Sequence, residues 1–336
     1  MMSNSSKEIK VPSLYQVFEN DFKIGVAVNR HTLDSQRSLI DYHFNSLTAE
    51  NEMKVENIQP KEGQFHFEFA DKLVEYAREH NKAVRGHTFV WHNQTPNWFF
   101  ENNDGSPASR ATLLERMKTH IETVAKRYKD DIYCWDVANE VISDSPSAFL
   151  RQSKWLEIIG ESFIDKAFEY AHLAVPDAKL FYNDYNESDP VKSEKIYLLV
   201  KGLLEREVPI HGIGLQAHWS LYHPSYDEIK RAIEKYASLG LELQMTEMDV
   251  SVYRFDDKSK GLTVPPPELL EKLAERYEKF FAIFKEYSDV ISNVTLWAGA
   301  DDYTWLDGFP VRGRKNWPML FDEQHQPKEA FYRIIK

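Results

Sequence analysis

The sequence predicts an α/β protein, a single-domain (β/α)8 barrel of the TIM type, and three observations predict it. Short β-branched or aromatic runs alternate with long amphipathic ones from end to end of the 336 residues. No linker, low-complexity tract or composition shift interrupts the alternation, so one domain over 1–336 is expected; barrels of this kind run past about 250 residues as single domains. The third observation is one-ended polarity. Reactive side chains collect at the C-terminal ends of the strand-like runs and not at their starts, which is where such barrels keep their functional groups.

The eight strands are read in order at 22–28 (FKIGVAV), 43–50 (HFNSLTAE), 83–91 (AVRGHTFVW), 132–140 (IYCWDVANE), 179–186 (KLFYNDYN), 210–219 (IHGIGLQAHW), 241–250 (LELQMTEMDV) and 291–300 (ISNVTLWAGA). They are strand candidates as short runs bounded by the longer helical patterns. Between them DKLVEYAREH, LLERMKTHIETVAKRY, WLEIIGESFIDKAFEYAHLA, KSEKIYLLVKGLLERE, YDEIKRAIEKYASLG and LLEKLAERYEKFFAIFKEY place apolar residues at i, i+3, i+4 and i+7, the stripe of a helix packed on a sheet. The closing PKEAFYRIIK is read as a last helix opened by its proline.

Composition excludes several function classes. A formal charge of −12 argues against nucleic-acid backbones and anionic membranes as partners. No stretch is long and apolar enough to span a bilayer, and MMSNSSKEIKVPSLYQVF lacks the apolar run of a signal peptide, so a cytoplasmic location is expected. The single cysteine, Cys134, lies inside a strand-like run and is read as a buried, inert thiol. No oligomeric state is defined by the sequence.

The strand ends supply the chemistry. The second ends in Glu50 and Asn51 with Lys54 beyond; the third carries His87 and ends in Trp91 and His92; the fourth ends in Asn139 and Glu140; the fifth in Asn183, Asp184 and Tyr185. The sixth carries Gln216 and His218, the seventh Glu247 and Asp249, and the eighth Trp297, with Trp305 in the loop after it. Glu140 and Glu247 stand out because each follows an apolar run. The fourth and seventh strands lie on roughly opposite sides of a narrow barrel, so the two carboxyls can face each other across its mouth. Facing carboxyls, one protonated and one ionised, are what glycosidic bond cleavage requires. His218 and Asp249 could extend Glu247 into a hydrogen-bonded string, and Trp91, Trp297 and Trp305 offer faces for stacking a pyranose. Strict alternation puts Asn139 on the pleat opposite Glu140, but at a strand end it can turn towards a sugar hydroxyl. A metal centre built from His87, His92, His218, Glu50 and Asp249 is conceivable, but the sequence has no HExxH, and the amides and tryptophans suit a sugar better; neither metal nor cofactor is expected. The loops after the seventh and eighth strands lack a glycine-rich phosphate cradle.

TAENEMK (48–54), RGHTFVWH (85–92), WDVANE (135–140), YNDYN (182–186), GLQAHW (214–219), TEMD (246–249) and the pair Trp297 and Trp305 together resemble the glycoside hydrolase family 10 endo-1,4-β-xylanases, over nearly the whole chain. The resemblance implies a retaining endo-1,4-β-xylanase that acts on xylan or xylo-oligosaccharides through a covalent xylosyl-enzyme. It implies Glu140 as general acid/base, Glu247 as nucleophile, Asn139 as holder of the sugar 2-hydroxyl, and His218 with Asp249 as support for the nucleophile. Glu50, Asn51, Lys54, His87, Trp91 and Gln216 would line the glycone subsites, Tyr185 the aglycone side, Trp297 the floor and Trp305 a lid, while His92 is structural support. Two departures stand out: Ala138 where many relatives carry valine, and Ala298 where a glycine usually follows the tryptophan. No appended carbohydrate-binding module is seen, which resembles the intracellular branch of the family. Two rival readings stand beside this one, a retaining β-glucanase or cellulase on the same barrel and a non-catalytic sugar-binding barrel.

Overall fold

The computed structural model describes residues 11–336; the leading ten residues of the N-terminal segment read above lie outside the described part. Nine strands form: β1 Lys23–Val28, β2 Ser46–Ala49, β3 Ala83–Val90, β4 Ile132–Asn139, β5 Lys179–Asp184, β6 Gly212–Leu215, β7 His218–Ser220, β8 Glu242–Ser251 and β9 Ile291–Leu296. All pairings between them are parallel, β1 through β6 in sequence order, β1 on β9, β9 on β8, and β8 back onto β6, which closes the barrel. β7 adds to β8 above β6. The (β/α)8 expectation therefore holds, with the sixth strand in two pieces.

Strands buried on both faces read as near-continuous apolar runs, and β1, β2 and β3 are buried over almost their whole length. The connections carry α1 Leu14–Val17 ahead of β1, α2 Thr32–Ser35 and α3 Arg37–His43 after β1, α4 Val55–Ile58 and α5 Glu68–Glu79 after β2, and α6 Arg110–Arg127 after β3. They continue with α7 Lys154–Ile159 and α8 Phe163–Ala174, α9 Pro190–Glu205, α10 Tyr226–Ala237, α11 Pro267–Glu286 and α12 Glu329–Ile334. No helical period marks the stretch between the first two strands, because α2 and α3 are too short to show one. The run at 155–174 was read as one helix, but Gly160, at φ +87°, ends α7 and starts a new direction. α12 is not opened by Pro327, which precedes its N-cap Lys328. α9 shows the expected start instead, with Asp189 accepting from the backbone N–H groups of Val191 and Lys192 and Pro190 at the first helical position.

The core lies between the barrel and its helices. Trp135 on β4 is fully buried and stacks on Phe89 at 4.2 Å. Inside the barrel a polar layer replaces hydrocarbon: Arg85 pairs with Asp136 at 2.8 Å, and Asp136 also receives His87 Nδ1 at 2.9 Å. Cys134 is fully buried, and burial pushes its thiol up to about 11, as expected of an inert cysteine.

Candidate active site

Two register shifts aim the carboxylates. Between Met245 and Met248, β8 carries one residue more than β9, and between Met245 and Asp249 one more than the β6–β7 segment. A bulge of this kind re-aims side chains. Thr246 and Glu247 consequently both turn into the barrel, where Thr246 donates to Asn183 Oδ1 at 2.6 Å and Glu247 Oε1 accepts from Asn183 Nδ2 at 3.0 Å. On the opposite side, β4 carries an extra residue against β5 between Asp136 and Ala138. Glu140 then leaves the strand at φ +58°, a backbone state uncommon for a side chain larger than glycine.

Asn139 is therefore not on the far pleat. Its Oδ1 accepts from Asn183 at 2.9 Å and from Gln216 Nε2 at 3.2 Å, the same nitrogen that donates to Glu140 Oε1 at 3.1 Å. Asn139 turns into the site, as a residue at a strand end can, because β4 is irregular there. The other oxygen of Glu140 accepts from Trp91 Nε1 at 2.8 Å. An amide chain, Gln216–Asn139–Asn183, thus spans the mouth from one carboxyl to the other.

Their electrostatics differ. Burial raises the pKa of Glu140, and the nearby charges of Asp184 and Glu247 raise it further, against the hydrogen bonds from Gln216 and Trp91. Burial acts on Glu247 too, yet the His218 hydrogen bond and the charges of His87, His218 and Lys54 together hold its carboxyl below the ordinary range. His218 Nε2 meets Glu247 Oε2 at 2.9 Å, and its Nδ1 meets Asp249 Oδ1 at 3.1 Å. Flanked by two carboxylates that outweigh its burial, the imidazole is pushed up to about 10 and stays charged. Trp305 Nε1 completes the string by donating to Asp249 Oδ2 at 2.7 Å.

The remaining candidates line the same groove, which has a volume of about 1250 Å³. Glu50 accepts from Asn29 at 2.8 Å, and Lys54 Nζ donates to Asn51 at 2.9 Å and to Gln94 at 3.1 Å. Trp297 is buried with its ring edge against His87 at 5.7 Å. Tyr185 lines the groove and accepts from Arg151 at 2.8 Å. His92 does not reach the groove; it borders a small void behind Glu140. Among the described residues no three His, Cys, Asp or Glu side chains are grouped to hold a metal ion, and both nitrogens of His218 are already taken by carboxylates. Absent from the candidate set were Asn29 and Gln94, which no motif flagged, Arg151, which follows a loop without pattern, and Asn183, which YNDYN had marked but to which no role was given.

A closed parallel barrel with two buried, oppositely biased carboxyls facing across a long open groove defines a barrel-type glycoside hydrolase. The chain belongs to glycosyl hydrolase family 10, whose family model matches residues 13–336. It is 59% identical over 97% of its length to an endo-1,4-β-xylanase of Geobacillus stearothermophilus, covering 98% of that protein. It is 42% identical over 97% of its length to a thermostable celloxylanase of Thermoclostridium stercorarium, covering 87% of it. Its structure is similar to the crystal structure of xylanase XynB from Paenibacillus barcinonensis complexed with a conduramine derivative, with a TM-score of 0.96 and 52% identity over 97% of this chain and 99% of that one.

Proposed function

We propose that this chain is a retaining endo-1,4-β-xylanase in which Glu140 is the acid/base and Glu247 the nucleophile. The observation that carries the assignment is the contrast between the two carboxyls: Glu140 sits among like charges and an indole N–H, whereas Glu247 is gripped by an imidazolium and an amide. Identity of 59% to an endo-1,4-β-xylanase over nearly the full length supports the substrate. The xylose chain lies along the groove with its glycone end against Glu50, Asn51 and Lys54 and its aglycone end towards Tyr185. Glu140 protonates the leaving oxygen while Glu247 attacks the anomeric carbon, forming a xylosyl ester. Esterification removes the charge of Glu247, which lowers the proton affinity of Glu140 and lets it deprotonate the incoming water. Attack from the face the aglycone left gives a β-configured product. Asn139 reaches the cleavage point beside Glu140 and is the group that holds the 2-hydroxyl.

Glu247→Ala should lose xylotetraose hydrolysis by more than about 10³-fold with the fold intact. Glu140→Ala should lose it similarly but regain turnover of an activated aryl xylobioside when azide is added, with β-xylosyl azide as product. Azide rescue of Glu247→Ala to an α-azide is the expected counterpart; the reverse pairing of rescue and product would overturn the assignment. A second reading, activity on β-1,4-glucan, is favoured by the likeness to a celloxylanase, and rates on cellotetraose equal to those on xylotetraose would establish it.

A further inference from the structure

A group of buried charges lies beside Glu140 and outside the steps above. Asp184 ends β5, next to the end of β4, where Glu140 N–H donates to Asn183 O at 2.9 Å. Its side chain is 1% exposed. It accepts from Lys192 Nζ on α9 at 3.0 Å, from the Tyr185 N–H at 2.8 Å and from the Tyr182 hydroxyl. Burial raises the pKa of Asp184, and the ammonium of Lys192 with the Tyr182 and Tyr185 donors works against that rise. Lys192, itself buried, also bridges to Asp144 at 2.8 Å, and Asp144 holds Arg151, whose Nε donates to the carbonyl of Glu140 at 2.9 Å. The backbone carbonyl of Asp184 accepts from Gln216 N–H at 3.0 Å, and Gln216 in turn donates to the carboxyl of Glu140.

We propose that Asp184, anchored by Lys192, is a positioning residue for the reaction: its buried negative charge beside Glu140 keeps the proton on Glu140 until the leaving oxygen takes it. The proposal rests on Glu140 being the acid/base. Glu247 exerts a like-charge effect as well, but only until it is esterified, whereas Asp184, held by Lys192 at 3.0 Å and never esterified, stands beside Glu140 in both half-reactions and so tunes it as the base that activates water. The other charged or titratable groups facing Glu140 are Lys54 after β2, His92 after β3, Arg151 after β4 and Tyr185 after β5. Two of them are cations, and both disfavour a retained proton. Asp184 and Glu247 are the like charges that oppose them.

The test is the pH profile of kcat/KM in Asp184→Asn, compared with Asp144→Asn, which removes the more exposed carboxylate on the other side of Lys192 in the same network. With xylotetraose, whose leaving group needs acid, the basic limb of Asp184→Asn is expected to move down by roughly one pH unit, while that of Asp144→Asn stays within a few tenths. With a dinitrophenyl xylobioside, whose leaving group needs no acid, kcat/KM of Asp184→Asn should stay near wild type across the same range. The double variant Asp184→Asn/Lys192→Met, which leaves no cation without its partner, covers poor folding of the single one and is expected to shift the limb in the same direction but by less, since the cation is lost with the carboxylate. An unmoved limb in a folded Asp184→Asn, or equal shifts from both aspartates, would overturn the proposal while leaving the acid/base role of Glu140 standing. A basic limb that persists unchanged in Glu140→Ala would instead remove that role, and the proposal with it.

Discussion

At the scale of residues, function here comes from what surrounds each carboxyl and little from the carboxyl itself. His218 is the hinge of that difference, because its two nitrogens join Glu247 to Asp249. Its folded pKa, about 10, lies above the ordinary imidazole value of 6.5, so the charged ring stabilises the fold. That contribution is complete below about pH 6.5 and is lost as pH rises towards 10. The stability difference between wild type and His218→Gln should therefore shrink over that window in chemical denaturation. Neutralising the far end of the string has a kinetic signature: Asp249→Asn weakens the hold on the His218 proton, raises the proton affinity of Glu247, and should move the acid limb of kcat/KM upward by roughly one pH unit. An acid limb that ignores the substitution would mean that Asp249 only anchors Trp305.

Among elements, the strand ends carry information that the sequence shows only in part. Glu140 and Glu247 were legible because a carboxyl following an apolar run is rarely buried without a purpose, although a structural ion pair is the competing explanation. The His218–Asp249 string was legible from adjacency of strands and a spacing of two. The bulge in β8 and the break between β6 and β7 were not, since TEMD and GLQAHW contain no Gly or Pro where the backbone departs from a regular strand. The departure is taken by Ala217, buried at φ +57° between Gln216 and His218. A β-branched residue fits that conformation poorly, so Ala217→Val should destabilise by about 1–3 kcal/mol and lower kcat/KM by misplacing both neighbours, whereas Ala217→Gly should fold as well as wild type. Equal stability of the valine variant, measured by denaturant unfolding, would contradict the left-handed backbone. Asn139 follows the same pattern: alternation alone would leave it on the far pleat, and its turn into the site is made where β4 is irregular immediately before it.

For the whole molecule, the barrel turns eight separate strand ends into one surface. Seven motifs spread from 48 to 305 could be read as a single site only once the closed topology was granted, and closure through β6 and β8 supplies it. The charged network around Asp184 and Lys192 stayed invisible for the opposite reason, since one partner lies on a strand and the other on a helix surface with ordinary amphipathic spacing. Two successive displacements, from opposite faces of one sugar, are what the facing carboxyls are built to carry out. Proton NMR of the freshly released reducing end, during hydrolysis of xylotetraose and before mutarotation, tests this most directly. The β-anomer appearing first is the predicted result, and the α-anomer appearing first would mean a single inverting displacement and contradict the roles of both Glu140 and Glu247.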